Sequence, residues 1–159
     1  MQYTVGNILE SEAQALINTV NTVGVMGKGI ALQFKKAYPN NFNAYQNACK
    51  QGDIAIGKLF VTKDHNLNSG EKIIINFPTK KDWRRPSEYS FIEKGLCDLI
   101  KVIENLNIKS IAIPPLGAGN GGLEWEKVKK MIEHKLNDLN VEVIVYEPTR
   151  EVKEYLQTV

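Results

Sequence analysis

The apolar positions of this chain change period repeatedly, and that alternation predicts its elements. Short runs rich in β-branched and aromatic residues read as strands at Gln2–Val5, Leu16–Val20, Leu59–Lys63, Lys72–Phe77, Ser110–Pro114 and Val141–Tyr146. Between them the apolar spacing widens to three and four residues. Helices are expected from about Gly29 to Tyr38, from Asn40 or Asn41 to about Lys50, from Ser87 or Glu88 to about Leu106, and from about Glu124 to Leu139. In the third of these, Phe91, Leu96, Leu99, Ile100 and Ile103 make one stripe. Ser11 is expected to cap a short helix reaching Ala15, and Thr149–Gln157 to close the chain as an amphipathic helix. Pro39 stops the helix before it, because the residue preceding a proline is pushed away from helical angles. The turn-rich stretch His65–Gly70 joins its two flanking strands as a hairpin.

Strands alternating with helices predict an α/β domain with a mixed sheet between two helical layers. Ser110–Pro114 is apolar on both faces and is expected near the centre of the sheet. Ligands in such folds sit beyond the carboxyl ends of the strands. The chain has 159 residues without repeat, linker or low-complexity segment, so one domain spanning residues 1–159 is expected. Its 43% hydrophobic and 24% charged content suits a folded protein with a core. A net charge of +2 is too small to argue for nucleic acid by itself, and only a local cluster makes that case. Cys49 and Cys97 fall in helical patterns and are expected as buried reduced thiols. No leader pattern and no bilayer-spanning apolar run is present, so a cytoplasmic protein without a membrane partner is expected. His65 and His134 are isolated and no group has metal-ligand spacing, so neither metal nor cofactor is expected.

Two glycine loops carry the candidate chemistry. The first follows the second strand through Gly24, Gly27 and Gly29 and runs into a helix. The second, Pro114–Leu123, also lies between an apolar strand and a helix. Glycines let the backbone approach an anion closely, and the helix N-terminus offers unpaired N–H groups and a favourable dipole. Two such loops suggest a diphosphate held from both sides. Gly117–Gly122 matches the letters of the dinucleotide fingerprint, but too little chain follows for a Rossmann unit, and Lys28 followed by Gly29 fails the P-loop pattern. Asn18 and Asn21 suit either ribose hydroxyls or a turn, Asn7 either a base edge or a cap, and Tyr146 either a stacked base or the core.

The remaining cluster is Asn76–Pro86, in which Lys80, Lys81, Arg84 and Arg85 surround Trp83 just past a buried strand. Such a run is either a solvated basic loop or a nucleic-acid contact, with cations on phosphate and the ring on a base. A lysine among cations can also have its pKa lowered and serve as a nucleophile toward a carbonyl-like carbon.

The series Gly6-Asn-Ile8, Asn18-Thr-Val-Asn21, Gly24–Ala31 and Pro115–Trp125 resembles the macrodomain family, which binds ADP-ribose. The resemblance covers nearly the whole chain. Within the family, Phe77–Arg84 is similar to the antitoxin branch that opposes DarT-type DNA ADP-ribosyltransferase toxins, and Thr79-Lys-Lys81 is shared with the human terminal ADP-ribose glycohydrolase. The resemblance implies a three-layer α/β/α domain that removes ADP-ribose from thymidine in single-stranded DNA, with a DarT-type toxin as a further partner. Gly24, Met26, Gly27, Lys28, Gly29 and Ile30 would then hold the diphosphate from one side. Gly117, Ala118, Gly119, Asn120, Gly121, Gly122 and Leu123 would hold it from the other. Asn7, Ile8 and Leu9 would meet adenine, Asn21 the distal ribose, and Tyr146 would serve the base. Lys80 matches the family's catalytic lysine, and Lys81, Trp83, Arg84 and Arg85 would hold the DNA. In the human relative an aspartate of the second loop assists the lysine; Gly121 holds that place here. Lys80 is then either a nucleophile at the anomeric carbon or a group that stabilises the leaving thymine and orients water. The antitoxins carry a further domain that this chain is too short to include, so a catalytic domain standing alone is expected. A non-catalytic ADP-ribose reader and an ADP-ribose 1″-phosphate phosphatase are the alternative readings.

Overall fold

A computed structural model describes residues 1–119 and 121–148. Asn120 and the expected closing helix Thr149–Gln157 lie outside the described residues. The elements are β1 (Gln2–Thr4), β2 (Ala15–Asn21), α1 (Gly29–Ala37), α2 (Pro39–Lys50), β3 (Phe60–Asn66), β4 (Gly70–Lys80), α3 (Tyr89–Asn105), β5 (Ser110–Ile113), α4 (Trp125–Leu136) and β6 (Glu142–Tyr146). They form one sheet in the order β1-β6-β5-β2-β4-β3. Every pairing is parallel except that of β3 with β4.

Side-chain alternation along β2 and β4 divides the core between the two helical layers. Ala15, Ile17, Ile73, Ile75 and Phe77 pack with α3 and α4, whereas Leu16 and Ile74 pack with Phe34 and Tyr38 at α1. Val20 joins Tyr45 and Ala48 of α2. This is the expected mixed sheet in three layers. At Gly95, α3 crosses β4 so closely that a Cβ would stand 2.2 Å from the Phe77 ring. That contact fixes the helix directly over the strand carrying the candidate lysine.

Several local expectations give way to side-chain bonding. No helix forms over Ser11–Ala15; instead a 3₁₀ turn spans Ile8–Glu10. Asn7 caps it by accepting from the Leu9 N–H at 3.0 Å, and the Ser11 hydroxyl turns back to accept from the Ala13 N–H. α2 begins at Pro39, and neither Asn40 nor Asn41 caps it. Asn41 is buried, where it exchanges hydrogen bonds with Asn76 and accepts from Thr62. Cys97 is exposed and Cys49 half-buried, both as free thiols, so the expected burial of the pair fails. Leu96 and Leu99 take the buried stripe of α3, and one residue past Leu96 the helix has turned Cys97 toward solvent.

The hairpin of β3 and β4 forms as expected, with the Asn66 carboxamide oxygen accepting from the Asn68 and Ser69 N–H groups in the turn. β4 is longer than its apolar run, continuing through Pro78 to Lys80. Pro78 is tolerated because β3 pairs only as far as Asn76, leaving that side of β4 open beyond it. On the other flank, β5 ends at Ile113 because Pro114 and Pro115 have no N–H groups to extend the ladder. β2 pairs with β5 only at Ala15 and Leu16 and then runs on to Asn21. The second glycine loop therefore leaves the sheet early, and a crevice opens at the carboxyl ends beside β2.

Candidate functional site

The two central strands end asymmetrically. β2 and β4 keep strict register from Ala15–Ile73 to Val20–Pro78, and then the register slips so that Asn21 faces Lys80. Thr79 is the extra residue of this bulge. A bulge bends its strand and re-aims the residues beyond it. Here it brings Lys80 to the mouth of a cavity of about 290 Å³. The cavity is lined by Thr19, Val20 and Asn21 from β2, Val25, Gly27 and Lys28 from the first glycine loop, Ala31 from α1, and Thr79, Lys80 and Trp83. Of the expected site residues, Asn21, Gly27, Lys28, Lys80 and Trp83 thus share one space.

Asn21 organises the wall of that space. Its side-chain oxygen accepts from the N–H groups of Val23, Gly24 and Val25 at 3.1–3.3 Å and from the Tyr45 hydroxyl at 3.1 Å. Its amide donates to the Val25 carbonyl at 2.7 Å. One carboxamide therefore holds the whole ascending limb of the first loop. Burial pushes the Tyr45 hydroxyl's pKa up, which keeps it a donor. Met26 is buried beneath the loop against Val20 and Tyr45, so its backbone and not its thioether faces the rim. Gly27, Lys28 and Gly29 are exposed, and no side chain caps α1. The N–H groups of its first turn, which have no intrahelical partner, are left for a ligand.

Farther along the rim, Leu9, Ile30 and Tyr146 pack on the cluster that contains Ile8 and Phe34. Three segments far apart in sequence thereby form one apolar corner, in which Ile8 is core and Asn7 is engaged as a cap. In the second loop Gly117, Ala118 and Gly121 are buried, Gly119 and Gly122 exposed, and Leu123 packs into the core. Gly121 lies so close to Gly117 that a Cβ would meet its carbonyl oxygen at 2.3 Å. This loop conformation has no room for a side chain at Gly121, an aspartate included. The Ser87 N–H donates to the Gly121 carbonyl at 2.9 Å, tying the loop to the end of the basic segment.

The basic segment is less uniform than its composition. Lys80 is partly buried, and both desolvation and the neighbouring Lys28 charge lower its pKa. Lys81 lies over the Phe91 ring, and its carbonyl accepts from the Thr22 hydroxyl at 2.6 Å, which joins this segment to the end of β2. Trp83 is 49% exposed although it lines the cavity. Arg84 stacks near Trp83 and makes a two-pronged ion pair with Asp82 at 2.7 and 3.0 Å. The bonds from Arg84 hold the Asp82 carboxyl well below the usual carboxylate range. Arg85 is exposed. The acid within the cluster escaped the sequence reading, although its i, i+2 placement beside Arg84 was visible. Thr19, Val20, Val25, Ala31 and Thr79 also join the cavity without a distinguishing sequence signal. Among the described residues no group of side chains has the makings of a metal site, and no helix is long and apolar enough to cross a membrane.

The Macro domain family profile matches residues 17–132. A Mycobacterium tuberculosis protein named DNA ADP-ribosyl glycohydrolase is 54% identical over 148 residues, covering 92% of this chain and 42% of that protein. The chain thus spans about two fifths of the curated relatives it matches. The solved macrodomain of M. tuberculosis DarG superposes with a TM-score of 0.89 at 54% identity, covering 93% of this chain and 97% of that one. Thermosipho africanus DarTG, solved in complex with ADP-ribose, gives 0.85 at 34% identity over 93% of this chain and 42% of that one.

Proposed function

The chain belongs to the macrodomain family, and from that premise we propose that it is an ADP-ribosyl glycohydrolase acting on ADP-ribosyl-thymidine in single-stranded DNA. The observation that carries the reading is Lys80 standing opposite Asn21 in a cavity shared by the first glycine loop and Trp83. A reader of free ADP-ribose needs the loops but has no use for a half-buried lysine beside an exposed tryptophan. The relatives named above supply the same activity, and the fused T. africanus relative joins it to a DNA ADP-ribosyl transferase. A DarT-type transferase is accordingly the proposed source of the substrate and the proposed partner.

In this reading the apolar corner at Leu9, Ile30 and Tyr146 takes adenine. The diphosphate lies between the first turn of α1 and the second loop, with Asn120 counted among its proposed contacts. The distal ribose and thymine enter the cavity. The Lys80 amine attacks the anomeric carbon as the bond to the thymine nitrogen breaks. The proton released from the new ammonium goes to the leaving base. Water then cleaves the carbon–nitrogen bond to Lys80 and frees ADP-ribose. Binding energy from the adenine and diphosphate ends is spent on holding the anomeric carbon against the lysine. Trp83 and Arg85 hold the flanking strand, one by stacking and one by charge.

The test is incubation of wild type and Lys80→Ala with an oligonucleotide carrying ADP-ribosyl-thymidine, with released ADP-ribose read by mass spectrometry. Release by wild type alone supports enzyme and lysine together. Binding of ADP-ribose without release by wild type overturns the assignment in favour of a reader. Two lysines in one cavity also suit a phosphate, so ADP-ribose 1″-phosphate belongs in the same assay as the competing substrate.

A further inference from the structure

The proposed chemistry asks for a lysine that is a neutral amine, yet nothing nearby accepts its proton. The second loop from Pro114 to Leu123 contains no ionisable side chain, and the place beside Gly117 is closed to one. Asp82 is taken by Arg84. Across the cavity from Lys80, on the descending limb of the first loop, stands Lys28. It precedes α1 without capping it, and its ammonium forms no hydrogen bond or ion pair among the described residues.

We propose that Lys28 is a positioning residue for the reaction: its unneutralised charge, held on the same cavity wall system as Lys80, keeps part of the Lys80 population as the nucleophilic amine. This rests on the reading of the cavity as the reacting site. Like charges that share a partly desolvated space cannot both remain charged at low cost. Lys28 is exposed to solvent and Lys80 is the more buried of the two, so Lys80 is the one that gives up its proton. The other charges near the end of β4 are otherwise committed or outward: Lys81 lies over Phe91, Asp82 and Arg84 neutralise each other, and Arg85 is exposed. Asn21, from β2, is uncharged and occupied by the loop. Lysine 28 thus performs, by repulsion, the activation that an adjacent carboxylate base performs by accepting a proton.

The test reads Lys80 directly. Wild type, Lys28→Met and Lys28→Arg are treated briefly with a small amine-acylating reagent across a pH series, and modification of Lys80 is quantified by peptide mass spectrometry. Lys28→Met is expected to move the midpoint of Lys80 labelling upward by on the order of half a pH unit or more, and Lys28→Arg to leave it near the wild-type midpoint. Raising the salt concentration is expected to move the wild-type midpoint the same way and the Lys28→Met midpoint less, since the repulsion is screened. The glycohydrolase pH profile is then measured on the same proteins, and its rising limb is expected to follow the labelling midpoints. Equal midpoints in wild type and Lys28→Met overturn the proposal. The salt series on wild type decides the matter even if Lys28→Met fails to fold. Shifted labelling in a protein without glycohydrolase activity keeps the lysine coupling and overturns the functional reading alone.

Discussion

Asn21 and Lys80 face each other at the ends of parallel strands β2 and β4, one step beyond a bulge that inserts Thr79. The relationship joins two tasks. Asn21 fixes the loop that approaches the diphosphate, and Lys80 stands where the distal sugar ends. Because both are terminal residues of paired strands, the lysine is held by a sheet ladder and not by a loop, which limits its misplacement relative to the substrate.

Replacing Lys80 by Ala is expected to lower ADP-ribose release at least about a hundredfold while leaving ADP-ribose affinity within a few fold. Release kinetics and calorimetry on the same preparation check both halves. Since burial and Lys28 lower the Lys80 pKa, the amine is populated at lower pH than in a free lysine. Wild-type activity should therefore rise with pH through that lowered pKa. An activity that falls over that range would instead assign Lys80 the protonated, leaving-group role.

Asn21→Ala removes every acceptor bond that holds Val23, Gly24 and Val25. The expected cost is about 1–3 kcal/mol of stability, because buried N–H groups and the Tyr45 hydroxyl lose their partner. ADP-ribose affinity should fall with it, as the loop must then be ordered at the expense of binding. Thermal melting with and without ADP-ribose measures the two effects, and a variant with unchanged melting and affinity removes Asn21 from this role.

Gly121→Asp should not install an acid beside Lys80. The new Cβ collides with the Gly117 carbonyl, so the loop must rebuild at a cost of at least about 1–3 kcal/mol. A loss of stability and of ADP-ribose affinity is expected, without a gain in rate. Faster release by Gly121→Asp would show that the loop opens more easily than its packing implies.

The arginines should contribute unequally to DNA binding. Arg85→Ala is expected to reduce the slope of log affinity against log salt by about one. Arg84→Ala should change it less, because Asp82 already neutralises Arg84. Asp82→Asn should tighten binding of an unmodified single strand by releasing Arg84. Fluorescence anisotropy over a salt series distinguishes the three, and equal slopes for both arginine variants would remove the Asp82 restraint from the account.

Gly95→Ala tests the packing that seats α3 on β4. A methyl group there overlaps the Phe77 ring, and a loss of about 1–3 kcal/mol is expected by denaturant titration. Phe77→Leu in the same background should recover part of it by vacating the ring position.

What the sequence determined by itself was local. The change from two-residue to three- and four-residue apolar spacing placed every strand and the long helices, because that periodicity reflects which face of one element is buried. Glycines after two strands marked the phosphate-type loops, since the backbone chemistry they permit belongs to the residues themselves. Where competition came from distant partners, the sequence was silent or misleading. Asn41 reads as a helix cap until Asn76 and Thr62 are packed beside it, and Lys80 reads as a loop residue until β2 gives it a strand to pair with. The shared cavity of Lys28 and Lys80, the apolar corner of Leu9, Ile30 and Tyr146, and the closure of Gly121 on Gly117 were decided only by tertiary structure. Each depends on strand register and on helices packed across the sheet, and register is set by burying whole faces at once, which no local stretch of chain encodes.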